Sequence, residues 1–277
     1  MRRILLLVVE IALFVAFIML FPIIAHAYPA PIVQSDEFPM VYCSENGDTF
    51  IEITKERYYN TNCYVARIVT SDPHLIRTCF AEDDMWSLGK MTEVARAHDA
   101  IFMVNADWCT QACGGNFVIR NGEIVRQTYP GQASGAYFCV MDDGHLQFVS
   151  LRTSAQEAID AGVVHSFSFF GVNLFNSDGT PRYCETSIHP RTFMGEVPRE
   201  DDLLEYIIVV ADGRREYSYG LNHYQEANIL YSKGCNIGYN LDGGGSTEMV
   251  FDGKIINEPS DGRERRDHDF IYVKFGK

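Results

Sequence analysis

The sequence predicts an α+β fold: a single domain with a mixed β-sheet core and flanking helices. Three features carry that expectation. Short runs of β-branched and aromatic residues recur along the chain. Asn121-Gly122 separates two such runs as a tight hairpin turn. One clear helical stretch, residues 222–233, lies between two apolar runs. The chain has 277 residues, 47% hydrophobic and 22% charged, enough for one sizeable core.

The elements follow in chain order. Strands are expected at Tyr64–Thr70 and Ile101–Asn105, then a hairpin of Phe117–Arg120 and Glu123–Val125 about the Asn-Gly turn. Ala136–Met141 and Leu146–Ser150 flank Asp142-Asp143-Gly144, a second turn, and Phe167–Phe175 and Tyr206–Ala211 read as further strands. Helices are fewer. Met85–His98 has mixed apolar spacing; Ser154-Ala-Gln-Glu157 is a capping-box pattern opening a short helix to Ala161. In 222–233 the apolar residues sit among polar ones, and Gly234 is placed to end the helix. With Tyr206–Ala211 before it and Ile237–Leu241 after, it makes a βαβ-like unit. Met249-Val250-Phe251 follows as a last apolar run.

Ahead of the domain, Arg2 and Arg3 precede a nearly unbroken apolar run from Ile4 to Ile24, and Ala25-His26-Ala27 has the small-x-small form that signal peptidase reads. Residues 1–27 are expected to be a signal peptide or, because the run matches the ~20 residues a bilayer needs, a signal-anchor. Residues 28–40, with three prolines, form a spacer, and 41–277 form the domain. Both readings place the domain outside the cytoplasm, secreted or membrane-anchored, touching membrane only through residues 4–24 if the leader is uncleaved. All eight cysteines follow the leader, and an even number in an oxidising compartment predicts disulfides, Cys109–Cys113 among them. No zinc spacing is present. A net charge of −14, with no basic stretch beyond the N-terminus, argues against a nucleic-acid partner.

Polar clusters collect at strand ends. Asp242-Gly243-Gly244-Gly245-Ser246 follows a buried strand, where three ordered glycines are costly unless backbone must approach something closely or line an anion nest. His189-Pro190-Arg191-Thr192 offers an imidazole and a guanidinium from one rigid segment. Asp212-Gly213-Arg214, the loop Asn257–Arg263 with Asp261, and Asn105-Ala106-Asp107-Trp108 complete the set. Singly each is a turn; together they suit a carbohydrate or phosphate cleft.

In order, these segments resemble the phosphodiester glycosidase domain, the family of the lysosomal mannose-6-phosphate uncovering enzyme and many bacterial relatives. The resemblance rests on Asn105-Ala106, Gly115–Gly122, His189–Thr192 with Gly195, Val209–Arg214, Gly220-Leu221, Gly234-Cys235, Asn240–Ser246 and Asn257–Arg263, and spans roughly residues 60–275. It implies hydrolysis of a sugar-1-phosphodiester, of the N-acetylglucosamine type or within an envelope glycan, to free sugar and a phosphomonoester. It also implies no required cofactor, with Ca²⁺ as the metal that Asp-rich glycine turns could hold.

In that reading Arg191, the Gly243–Gly245 amides and Ser246 cradle phosphate. Asp242 is the essential carboxylate and Asp212 the second choice. His189, also placed among the catalytic residues, Asn105 and Asp261 meet sugar or phosphate, and Thr192, Arg214, Asn240 and Arg263 line the same site. Two departures stand out: Asp107, Trp108 and the Cys109–Cys113 loop follow the early Asn, and Glu248 follows Thr247, on the face of Ser246 if strand alternation holds. Two alternatives remain at this stage: a non-catalytic glycan-binding surface protein, and a phosphodiesterase cutting the P–O bond.

Overall fold

A computed structural model describes residues 32–34, 37–82, 84–110, 115–128, 137–169, 172–184 and 186–276. The leader, residues 1–27, and most of the spacer lie outside the described residues. Among the described residues no helix is long and apolar enough to cross a membrane.

Two sheets make the body. The larger has seven strands in the spatial order Ile32–Gln34, Met40–Cys43, Thr49–Tyr58, Thr61–Thr70, Leu204–Ala211, Arg191–Glu196 and Ile237–Gly243. The second has five: Lys254–Ile255, Met249–Phe251, Ala100–Asn105, Asp269–Lys274 and Arg77–Phe80. A three-stranded sheet of Leu146–Val149, Tyr137–Met141 and Val163–Phe167 stands beside them.

Burial shows how the sheets stack. Along Leu204–Ala211, Tyr206, Ile208 and Val210 join one core cluster while Ile207, Val209 and Ala211 join another, so the strand is buried on both faces. The first cluster also takes Phe102, Val104, Met249, Phe251 and Ile271, and therefore fills the space between the two sheets. The second is closed by Ala227, Ile229 and Leu230 of the helix His223–Ser232. On the far side, Met91, Val94 and Ala95 of the helix Met91–Ala97 cover Met103, Val250 and Phe270 of the five-stranded sheet. The layers run helix, sheet, sheet, helix.

Sheet dominates the fold more than the α+β expectation implied: the described α-helices are these two and Ala155–Asp160. The sheet is not mixed among the described strands, since every pairing there is antiparallel. The expected βαβ unit has a physical cause for its different form. Its two strands run the same way, but Arg191–Glu196 lies between them, antiparallel to both. Both capping boxes form, Ser154 with Glu157 and Asn222 with Gln225, and Gly234 ends the last helix at φ +95°.

Other boundaries move. The helix expected from Met85 begins at Met91, because the Asp84 carboxylate accepts the Trp86 and Ser87 N–H groups and holds a turn there. The strand expected over Phe167–Phe175 ends at Phe167. The disulfide expectation is also corrected: Cys43, Cys63, Cys79, Cys109, Cys139, Cys184 and Cys235 are free thiols. Five of them are buried and serve as small apolar side chains in four separate clusters. Cys113, the guessed partner of Cys109, lies outside the described residues.

Candidate active site

The antiparallel register gathers the polar motifs. Arg191 opens its strand opposite Ala211 on one side and Gly243 on the other, so the His-Pro-Arg-Thr segment, Asp212–Arg214 and Asp242–Ser246 share one end of the seven-stranded sheet. Asn105 closes the central strand of the facing sheet at the same level. Its Nδ2 donates to the Asp242 carbonyl (2.8 Å), and its Oδ1 accepts from the Thr192 hydroxyl (2.6 Å) and the Glu248 N–H (3.3 Å). Ala106 continues the link, accepting from the Asp242 N–H and donating to the Asp269 carbonyl, both at 2.9 Å.

Asn105, Thr192 and Asn240, expected as ligand contacts, are therefore a buried floor under the loop. Asn240 turns its Nδ2 to the Leu241 carbonyl. Asp212 is also buried. Its Oδ1 accepts from Asn257 Nδ2 and the Glu258 N–H, at 3.1 and 3.0 Å, which ties down the C-terminal loop. Burial pushes the Asp212 carboxyl up to about 6.

Gly244–Ser246 forms a single 3₁₀ turn, so strand alternation stops there and Glu248 does not share a strand face with Ser246. Its Oε1 instead accepts from the Arg265 N–H at 2.7 Å. Gly243 lies against backbone, since a Cβ there would stand 2.6 Å from the Pro190 carbonyl oxygen, and side chains close over the next two glycines. A Cβ at Gly244 would stand 3.0 Å from Arg214 Nη2, at a φ of +66°. A Cβ at Gly245 would stand 2.6 Å from Asp261 Oδ2 and 2.7 Å from Arg265 Nη1. The expected amide cradle is narrower than its three glycines suggest. The Gly243 N–H donates to Asp242 Oδ1 (2.7 Å) and the Gly244 N–H to the Pro190 carbonyl (2.9 Å), which leaves Gly245 outside these bonds.

Asp242 lies beneath this turn, only 8% exposed, and burial with the nearby Asp267 carboxyl pushes it up to about 7. The rim above is exposed: Arg214, Arg265 and Asp261 approach the turn, and Arg263, also exposed, is brought to it by no contact among the described residues. His189 is half-buried beside them. Desolvation, then the Arg191 and Arg214 charges, hold its imidazole below the usual range and so neutral. Arg191 itself is turned inward. Nε donates to the Leu221 carbonyl (3.0 Å) and Nη2 to the Ser187 carbonyl (2.8 Å), and Nε is 3.2 Å from Glu226 Oε1.

Three residues here escaped the sequence reading. Arg265 sits two residues beyond the Asn257–Arg263 loop, and Asp267 lies in a short strand, Arg266–Asp267, paired with Gly89–Lys90. Glu226 is fully buried on a helix whose sequence looked merely amphipathic, and burial pushes its carboxyl up to about 8 against the pull of Arg191. The departures after Asn105 have structural uses. Arg120 Nη2 donates to Asp107 Oδ1 (2.8 Å) and Asp269 Oδ2 (2.5 Å). Asp107, Cys109 and Asp269 are the one His/Cys/Asp/Glu group among the described residues with metal-ligand spacing. Arg120 Nη2 already occupies the Asp107 and Asp269 oxygens that face the group, and its positive charge sits where a cation would, so the donor set does not fit one. Trp108 is half-buried against the core, whereas Trp86 is 64% exposed.

The structure is a two-sheet sandwich with a triple-glycine turn and a buried aspartate at its strand ends. The sequence profile of the phosphodiester glycosidase family matches residues 98–274, and the chain belongs to that family. It is 30% identical over 192 residues to the SPbeta prophage-derived uncharacterized protein YomE of Bacillus subtilis (strain 168), covering 66% of this chain and 29% of that one. This chain thus spans less than a third of that relative's length. Among solved structures, the zebrafish N-acetylglucosamine-1-phosphodiester alpha-N-acetylglucosaminidase catalytic domain, auto-inhibited by its pro-peptide, superposes with a TM-score of 0.63 at 17% identity. That match covers 89% of this chain and 88% of the zebrafish one. A hypothetical protein from Synechocystis superposes with a TM-score of 0.55 at 13% identity, covering 90% and 68%. Both likenesses are of fold.

Proposed function

We propose that this protein hydrolyses a sugar-1-phosphodiester at the glycosidic C1–O bond, releasing free sugar and a phosphomonoester. One observation carries the reading: a buried carboxyl, Asp242, poised near neutrality beneath a glycine turn that Arg214 and Arg265 overhang. The exposed guanidiniums and neutral His189 bind the phosphate, with the Gly245 amide directed at the same anion. Asp242, ionised, takes a proton from the attacking water. Phosphate is a good leaving group, so the site needs charge stabilisation more than strong acid. Asn105, Thr192 and Arg191 hold the floor, and Asp212 with Asn257 holds the C-terminal loop. No metal enters this reading. Export by residues 1–27, to meet an extracellular or envelope glycan of the N-acetylglucosamine-1-phosphodiester type, is part of it.

Product analysis tests it. The purified protein is incubated with UDP-N-acetylglucosamine beside Asp242→Asn. Free N-acetylglucosamine with UDP, absent in the variant, is expected. N-acetylglucosamine-1-phosphate would mean P–O cleavage instead. Sugar binding without product would mean a glycan-binding protein.

A further inference from the structure

We propose that Asp267 is the second carboxyl of the reaction, the proton-carrying partner of Asp242, with the Ser246 hydroxyl passing the proton between them. The inference rests on the hydrolytic reading and extends it to a residue outside every motif that suggested that reading.

The geometry comes from three elements. Ala106 bridges the backbones of Asp242 and Asp269, through its carbonyl to the first and its N–H to the second, and Asp267 precedes Asp269 by two residues on the short strand before it. Asp267 is 9% exposed. Its Oδ1 accepts from the His268 N–H (2.9 Å), while its buried Oδ2 has no hydrogen-bond partner. A buried carboxylate oxygen without a donor is expensive, whereas a protonated one is an acid aimed at whatever enters. The Ser246 hydroxyl lies beside both the Asp242 and the Asp267 carboxyls. Arg265 faces both carboxyls, the His268 imidazole and the Glu248 carboxyl face Asp267, and Arg191 faces Asp242. Arg191 is already paired with Glu226, and Arg265 alone does not neutralise the remaining buried carboxyls, so the pair holds one proton between them near neutrality.

The step balances. Water attacks C1 and gives its proton to the Asp242 carboxylate as the new C1–O bond forms. The bond from C1 to the phosphate oxygen breaks with its electron pair on that oxygen, which takes the Asp267 proton. Asp242 is then protonated and Asp267 ionised. The Ser246 hydroxyl gives its proton to Asp267 and accepts the one on Asp242, which restores the starting state.

Two measurements test the pair separately. In the first, the full-length protein is labelled with ¹³C at aspartate carboxyl carbons and titrated by NMR, which needs no turnover. Wild type is expected to show two coupled steps at Asp242 and Asp267. In Asp267→Asn the Asp242 carboxyl is expected to titrate in one step, below the upper step of wild type. An Asp242 curve unchanged by Asp267→Asn overturns the pairing. In the second, Asp267→Asn is expected to lower kcat about 100-fold or more on UDP-N-acetylglucosamine with KM changed less than threefold. A kcat within threefold of wild type overturns the role. Ser246→Ala, which conserves the turn, is expected to lower kcat about tenfold at unchanged KM. If Asp267→Asn does not fold, a Ser246→Ala variant with wild-type kcat overturns the relay. A wild type with no turnover on sugar-1-phosphodiesters overturns the hydrolytic reading alone, and the carboxyl titration still decides the pair.

Discussion

Thr192 Oγ1 donates to Asn105 Oδ1 at 2.6 Å, and that bond fastens the seven-stranded sheet to the five-stranded one directly beneath the glycine turn. Both residues are essentially inaccessible to solvent. Asn105 thus holds the turn in place, since its Nδ2 fixes the Asp242 carbonyl and its Oδ1 the Glu248 N–H. Asn105→Ala would strand a buried hydroxyl, a carbonyl and an N–H together. The expected cost is about 3 kcal/mol or more of folding stability, each stranded group contributing roughly 1–3. Urea unfolding of wild type and variant measures it, and a loss under about 1 kcal/mol would remove Asn105 from this role.

How much of this was legible in the sequence depended on how local the cause was. The Asn121-Gly122 turn, the Ser154–Glu157 capping box and the stop at Gly234 are short-range chemistry, and each forms as read; the Asn222–Gln225 box, equally local, went unread. Thr49–Tyr58, Arg191–Glu196 and Asp269–Lys274 went unread. Arg191–Glu196 and Asp269–Phe270-Ile271 are buried nearly throughout, so no polar alternation marks them, and Gly195 sits mid-strand. In the site, the motif residues do converge, because antiparallel register places their strand ends together. The division into floor and rim was not legible: Arg191 and Arg214 look alike in sequence, yet one is 7% exposed and the other lies open above Gly244.

That division separates two variants. Arg214→Ala removes an exposed guanidinium from a left-handed backbone position (φ +60°) and is expected to raise KM at least tenfold while leaving the melting temperature within about 2 °C. Arg191→Ala is expected to lower the melting temperature, because it leaves Glu226 buried without its cation and frees the Leu221 and Ser187 carbonyls. Arg191→Ala with Glu226→Gln should recover most of that loss. Steady-state kinetics beside thermal melts decide the matter; a stable Arg191→Ala with raised KM would return Arg191 to the phosphate.

Free thiols predict the redox behaviour. Dithiothreitol is expected to leave the melting temperature unchanged, because none of the seven described cysteines is cross-linked. Native protein treated with a thiol reagent should be labelled at half-buried Cys43 and Cys184 while Cys63, Cys79, Cys109, Cys139 and Cys235 react only after unfolding. Burial pushes the Cys63 thiol up to about 12 and raises the other four, which disfavours the reactive thiolate. A fall of several degrees on reduction would show a cross-link.

The pH dependence of stability and that of activity should run in opposite directions between pH 6.5 and about 7. Burial raises Asp242 to about 7, and Glu226 and Glu248 to about 8, in the folded state. Ordinary carboxyls titrate near 4 once unfolded. Between those limits the native protein holds more protons than the unfolded chain, so stability falls as pH rises, by about 1.4 kcal/mol per pH unit for each such group. Buried His165 and His223, lowered to about 3 by burial, act the other way, but only below the ordinary imidazole pKa near 6.5. Above it the carboxyls are joined by His145, whose imidazole the Glu196 carboxylate holds above the usual range and which acts in the same direction, so the melting temperature is expected to fall from pH 6.5 to pH 8. Glu226→Gln should flatten that slope by removing one titrating group without changing its shape. Asp242 becomes ionised as pH rises from 6.5 toward 7, so kcat/KM on a sugar-1-phosphodiester should rise to a maximum and fall again at higher pH as the pair loses the proton that Asp267 supplies. Thermal melts and initial rates on the same buffers test both limbs. A melting temperature that rises from pH 6.5 to 8 would mean these carboxyls are already ionised in the folded protein, and the proton inventory assigned to the site would be wrong.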